Sequence, residues 1–213
     1  MSIGEMSVIK RLKSGKEATA YCCRDISDGK YVLAKVYKDS GVVKNRSTYM
    51  YMDGRHSNAF SITKWIENEY KSLIALYEAG ASVPKPYYMG GNAIYMEYIG
   101  SVDTPAPQIK KVRLDRKEAY KVLNSIVDNM KIFIRNNIIH ADLSPYNILY
   151  WNDDIRVIDF PQAVDPRNNR YANRLLYRDV TNICTYLEQQ GVKCNVTKIV
   201  TDIWNEYIYK DLY

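Results

Sequence analysis

The chain has 213 residues, 46% of them hydrophobic and 25% charged, with 30 Lys and Arg against 24 Asp and Glu for a formal charge of +6. That length accommodates one large domain or two modest lobes around a shared cleft, and the composition is that of a folded protein. No run approaches the roughly eighteen apolar residues of a membrane span, and no apolar segment follows Lys10, Arg11 and Lys13, so neither a membrane anchor nor a signal peptide is expected and a cytoplasmic location is.

Short β-type runs dominate the first half. Thr19 to Arg24 and Tyr31 to Tyr37 are separated by Asp25-Ile26-Ser27-Asp28-Gly29-Lys30, which has hairpin turn chemistry. The segment Lys13 to Ala18 is placed between the chain start and this first strand. Ser61 to Gly80 reads as a helix, with Ser61 as N-cap, Trp65, Leu73 and Leu76 on an apolar face, and Gly80 as the stop. Pro84 and Pro86 lead into a strand pair around Gly90-Gly91-Asn92 that ends in Ala93 to Ile99. Gly100 to Pro107 reads as an interlobe connection.

The second half is mostly helical. Ala119, Val122, Leu123, Ile126, Val127, Met130 and Phe133 recur at three- and four-residue spacing within Asp115 to Asn137. A hairpin is predicted from Ile148 to Trp151 and Ile155 to Ile158, and two closing helices over 173–190 and 195–210 flank Gly191. Strands with one helix, then mainly helices, give an α+β fold in two lobes, residues 1–99 and 100–213.

Four cysteines (Cys22, Cys23, Cys184 and Cys194) lack metal-ligand spacing and read as free thiols, with Cys22 and Cys23 on opposite faces of one strand. Residues 110–121 hold Lys110, Lys111, Arg113, Arg116, Lys117 and Lys121, which suit a nucleic-acid partner or a solvated helix face. The 20 tyrosines are expected mainly as core residues whose hydroxyls reach solvent.

Phosphoryl transfer accounts for the densest cluster of polar groups. Residues 140–147 read His-Ala-Asp-Leu-Ser-Pro-Tyr-Asn, and Asp159 ends the apolar strand Arg156-Val157-Ile158. Asp142 is placed to take a proton from an attacking hydroxyl, while Asn147 and Asp159 offer the hard oxygens that magnesium prefers. His140 reads either as an organiser behind them or as a core histidine. Lys35, within Val32-Leu33-Ala34-Lys35-Val36-Tyr37, is a charge in an apolar strand and needs a partner; Glu69 in the helix is the candidate. Ser14-Gly15-Lys16-Glu17-Ala18 is the candidate phosphate loop, with no Walker pattern.

Taken together, these residues resemble the RIO family of atypical serine/threonine protein kinases, closer to its type-1 branch, from Ser14 to about Val192. The resemblance implies a reduced kinase fold with a β-rich N-terminal lobe and a mainly helical C-terminal lobe. It implies Ser14, Gly15 and Lys16 in the phosphate loop, the strand lysine Lys35, the helix glutamate Glu69, and a catalytic loop around Asp142. Met96 would be the gatekeeper, and backbone groups of Glu97 and Ile99 would hold adenine. Leu176 to Ile183 matches the family's C-terminal helix signature.

ATP and magnesium (or manganese in its place) are the implied cofactors. Autophosphorylation on serine, ATP hydrolysis through a phosphorylated Asp159, and a role on the precursor of the small ribosomal subunit, with its RNA and protein, are the implied activities. The stretch Asn45 to Met50 resembles the family's flexible loop. Phe160-Pro161 departs from the Phe-Gly of ordinary protein kinases and is closer to the type-2 form, although the residues before Ser14 are too few for that branch's winged helix. The 54 residues after Asp159 contain no APE signature, which leaves little chain for a peptide-docking lobe. A small-molecule phosphotransferase of the aminoglycoside or choline kinase type, and a nucleotide-regulated RNA-binding scaffold, are the alternatives.

Overall fold

A computed structural model describes residues 6–38, 62–101 and 103–209. Ser61 as a helix cap and the Asn45–Met50 loop lie outside the described residues. The first half folds into a five-stranded antiparallel sheet of β1 (Met6–Ser14), β2 (Ala18–Asp25), β3 (Tyr31–Tyr37), β4 (Pro86–Gly90) and β5 (Ala93–Glu97), ordered β1-β2-β3-β5-β4. Helix α1 (Ile62–Glu78) packs against β4 and β5. In the second half, α2 (Arg116–Arg135), the hairpin β6 (Ile148–Trp151) and β7 (Asp154–Val157), α3 (Ala172–Glu188) and α4 (Val196–Ile208) form the helical lobe. This is the α+β, bilobal architecture that the periodicity predicts.

Strand β1 corrects the sequence reading. The phosphate-loop candidate does not precede the first strand; it is the turn between β1 and β2, closed by a 2.8 Å bond from the Gly15 N–H to the Ala18 carbonyl. Most side chains of β1 are exposed, and its pairing with β2 is interrupted at Val8/Lys10 and Arg11/Lys13. An irregular edge strand of this kind carries no period-2 hydrophobic signal.

The elements that position the cleft have clear local causes. In α1, Ile66, Glu69, Leu73 and Leu76 fall at helical spacing and are all buried, so a carboxylate sits in the middle of the apolar stripe; Trp65 is only half-buried. Helix α2 begins with a capping box: the Asp115 carboxylate accepts from the Glu118 N–H at 2.8 Å, and Glu118 accepts from the Asp115 N–H at 2.7 Å. Its buried Asn129 accepts a 2.6 Å bond from the Ser82 N–H, while the Ser82 carbonyl receives the Val157 N–H at 2.8 Å. The segment linking α1 to β4 is thereby fastened to the helical lobe.

The cysteines are free, as expected. Cys22, Cys23 and Cys184 are buried, and Cys194 is half-buried. Among the described residues, no helix is long and apolar enough to cross a membrane.

Replacing Asp115 with Ala removes the helix cap and should lower stability by about 1 kcal/mol, which is roughly 2–4 °C in Tm for a chain of this size. Thermal unfolding followed by circular dichroism checks this. An unchanged Tm would mean that α2 does not depend on its capping box.

Candidate active site

Strand β3 and helix α1 meet at Lys35. Its ammonium lies 2.7 and 2.9 Å from the two oxygens of Glu69, and 2.5 Å from an oxygen of Asp159 beyond the end of β7. Glu69 is 1% exposed, and burial pushes its carboxyl up against the pull of Lys35. Burial also works against the Lys35 ammonium, but the two carboxylates outweigh it and hold its pKa above the ordinary lysine value. For Asp159 burial is the largest single influence and pushes the carboxyl up, but the charge and hydrogen bond of Lys35, with smaller help from other cationic groups, together hold it below the usual range. The predicted Lys35–Glu69 pair is therefore present, and Asp159 joins it.

Asp159 has a positive φ of 75°, a left-handed backbone that a residue other than glycine adopts only at a cost of about 1–3 kcal/mol. Its neighbours impose it. The Ile158 N–H donates to the Asn147 carbonyl at 2.9 Å, while Phe160 is fully buried edge-on to Phe133, with ring centroids 5.5 Å apart. The turn thus aims the Asp159 carboxylate at Lys35 while Phe160 goes into the core.

The catalytic-loop candidate is braced from beneath by α3. Asp179, fully buried, accepts from the Ala141 N–H at 2.8 Å and the Leu143 N–H at 3.1 Å. Arg178 donates to the Ala141 carbonyl, and Asn182 to the Leu143 carbonyl at 3.1 Å. Ala141 takes a left-handed φ of 61° between these partners. Burial pushes the Asp179 carboxyl up to about 7, against Arg178 and the two N–H donors. Asp142 is exposed, and its carbonyl accepts from the Asn147 side-chain amide at 3.0 Å, which fixes the orientation of Asn147.

Asp179 was not singled out as a site residue, although the signal existed. It falls in register with Leu175, Leu176, Val180 and Ile183, so a charge occupies the buried face of its helix.

His140 is 2% exposed and lies against Phe160, with ring centroids 4.7 Å apart. Its Nε2 is 3.1 Å from the Ile158 carbonyl, which can only accept, so the proton belongs on Nε2. Nδ1 has no partner among the described residues. Burial depresses the imidazole pKa to about 4. His140 is a neutral strut between the catalytic loop and the Asp159 turn.

The phosphate-loop residues are organised by a lysine that the sequence reading passed over. The Lys38 ammonium donates to Ser14 Oγ at 3.1 Å and to the Gly15 carbonyl at 2.6 Å, and the Lys38 N–H donates to the Glu17 carbonyl at 2.8 Å. Ser14 Oγ also lies 3.2 Å from Thr19 Oγ1. The Gly15 N–H is engaged within the turn, on the Ala18 carbonyl. Glu17 is close enough to Asp159 and Asp142 for their charges to add to burial in raising its carboxyl pKa.

At the other end of the cleft, Met96 is buried and Glu97 exchanges bonds with Lys85: its N–H donates to the Lys85 carbonyl at 2.8 Å, and its Oε2 accepts the Lys85 N–H at 3.1 Å. The Ile99 carbonyl accepts the Ala106 N–H at 3.0 Å. A cavity of ≈ 230 Å³ between α3 and α4, lined by Tyr177 and Trp204 among others, shares no residue with this cleft.

Comparison with known proteins bears on the family and the fold of the chain. The model of the RIO domain family matches residues 19–199. A protein of Thermoplasma acidophilum named RIO-type serine/threonine-protein kinase Rio1 is 33% identical over 88% of this chain and 98% of its own length. The human serine/threonine-protein kinase RIO1 is 28% identical over 85% of this chain, which spans 33% of that larger protein. Among solved structures, the Rio2 kinase of Chaetomium thermophilum, in an ADP/Mg2+-phosphoaspartate complex, superposes with a TM-score of 0.69 at 22% identity, over 92% of this chain and 61% of that one.

The depressed His140 pKa has a consequence for stability. An unfolded imidazole binds its proton near pH 6.5, whereas the folded one does so only near pH 4. The contribution of neutral His140 is therefore complete above about pH 6.5 and is lost as pH falls towards 4, by at most about 3 kcal/mol. The Tm of the wild type should drop more steeply than that of His140→Asn between pH 7 and 4.5; parallel curves would contradict the burial of a neutral ring.

Proposed function

We infer that this chain, which belongs to the RIO family of serine/threonine protein kinases, binds ATP between its lobes and transfers the γ-phosphoryl group to serine, on itself or on a small set of proteins. The observation that carries the reading is the Lys35 ammonium held between Glu69 and Asp159, with Asp142 and Asn147 on a braced loop beside them. The names of the curated relatives favour the type-1 branch and a protein acceptor over a small amine or sugar.

In the proposed reaction, Ser14, Gly15 and Lys16 cover the phosphates, and Lys35 neutralises the nearer ones. Adenine lies against Met96 and the backbone of Glu97 and Ile99. Asp142 orients the acceptor hydroxyl and receives its proton as oxygen bonds to phosphorus. The bond between the γ-phosphorus and its bridging oxygen breaks, and ADP leaves with the electron pair.

The donors Asn147 and Asp159 are hard oxygens, one neutral and one anionic. That set fits a divalent magnesium that arrives with the nucleotide and completes its shell with phosphate and water. When bound, magnesium would offset the negative charge that develops on the phosphate oxygens.

Asp159 also supports a second reading, ATP hydrolysis as a switch. Its carboxylate is 44% exposed, and a phosphoaspartate is present in the Rio2 relative. Attack by an Asp159 oxygen on the γ-phosphorus would release ADP and leave an acyl phosphate, which water then cleaves to inorganic phosphate. Family membership and the net charge of +6 support a cytoplasmic role on the RNA and protein of a small ribosomal subunit precursor.

Incubation with labelled ATP and magnesium tests the catalytic reading. Labelled protein or released phosphate is expected, and Asp142→Asn should lower transfer by about 100-fold or more while ATP still binds. Asp159→Ala should weaken magnesium-dependent nucleotide binding. If nucleotide binds and neither labelled protein nor phosphate forms, the chain is not an active phosphotransferase.

A further inference from the structure

The turn proposed to cover the phosphates is held from outside itself. Ser14 and Thr19 form the last register pair of β1 and β2, and Tyr37, the final residue of β3, pairs with Ala18. Lys38 therefore leaves β3 beside the turn. Its backbone N–H donates to the Glu17 carbonyl at 2.8 Å, and its exposed ammonium reaches Ser14 Oγ at 3.1 Å and the Gly15 carbonyl at 2.6 Å. Among the described residues, these two oxygens are the partners of the ammonium, and no carboxylate pairs with it.

The direction of these bonds decides what Ser14 can present. An ammonium has protons to donate and no lone pair, so the Ser14 hydroxyl must accept from Lys38. Thr19 is 7% exposed, and Ser14 Oγ, 3.2 Å away, is the partner of its hydroxyl among the described residues. A buried hydroxyl proton left without an acceptor is costly, so Thr19 donates to Ser14. Both acceptor positions of the Ser14 oxygen are then filled, and its own proton is left for a group that brings an acceptor. The Gly15 carbonyl, whose lone pairs would repel a phosphate, is occupied by the same ammonium.

We propose that Lys38 is a positioning residue for nucleotide binding: it fixes the Ser14 hydroxyl as a donor to the phosphates and caps the Gly15 carbonyl against them. The inference rests on the nucleotide reading above and adds to it a residue outside both the turn and the Lys35 cluster. Lys38 acts through Ser14 and Gly15 and does not itself meet the reacting atoms.

Competition with a fluorescent ADP analogue, on the full chain with magnesium, gives the affinities of ATP, ADP and adenosine. Lys38→Met keeps the backbone bond to Glu17 and an unbranched stem. It should weaken ATP and ADP about tenfold while adenosine stays within about twofold of the wild type. Lys38→Arg retains a cationic donor and should recover most of the loss. Ser14→Ala should lose a similar amount, and adding Lys38→Met to it should cost less than about threefold more, because two residues that act through one hydroxyl are not additive.

Unchanged ATP affinity in Lys38→Met overturns the proposal. So does an equal loss for adenosine, which would mark a general disturbance of the lobe. Losses that multiply in the double variant would show Lys38 acting without Ser14, and they overturn it as well. In each of these cases the wild type still binds ATP and the kinase reading stands. A wild type that binds none of the three ligands would remove that reading, and this inference with it.

Discussion

One largely buried cation organises the cleft. Lys35 sits in a strand whose neighbours are apolar, and an ammonium removed from water there is sustained only by the carboxylates that reach it. Glu69 must then lie on the inner face of α1, which sets the rotation of that helix against the sheet. Asp159 must turn inward at the end of the small hairpin, at the expense of a left-handed backbone. The sheet, the helix and the helical lobe converge on one nitrogen.

The loop bearing Asp142 is held on a different principle. Its backbone is fixed by side chains of α3, with Asp179 accepting two amides while Arg178 and Asn182 take carbonyls. Satisfying polar backbone in this way leaves the Asp142 side chain exposed on a rigid support, a suitable arrangement for a group that meets an incoming acceptor. The segment Pro107–Lys110 is tied to the same loop through Pro145, Tyr146 and Tyr150.

Much of this was legible in residue order, and for identifiable reasons. Strands β2, β3 and β5 and helix α2 have clean periods and well-marked ends, so their boundaries fall within a few residues of expectation. Glu69 could be paired with Lys35 because each is a charge in an apolar setting. Strand β1 was hidden, since exposed, bulged edge residues follow no alternation. Asp179 was read as part of a signature and not as a ligand for the catalytic loop. Lys38 gave no sign of its role, because its bonds to Ser14 and Gly15 depend on how tightly the β1–β2 turn folds back over the end of β3.

The fastening of Ser82 governs how the two lobes can move. Ser82 precedes β4, and its bonds to Asn129 and Val157 ground that side of the five-stranded sheet in the helical lobe. The β1–β2 hairpin lies at the opposite side of the sheet, where half-buried Lys10 reaches the Asp103 carbonyl. The sheet is therefore tied at both edges, by Ser82 beside β4 and by Lys10 on β1, so the placement of Lys35 against Glu69 and Asp159 does not rest on the ion pairs alone.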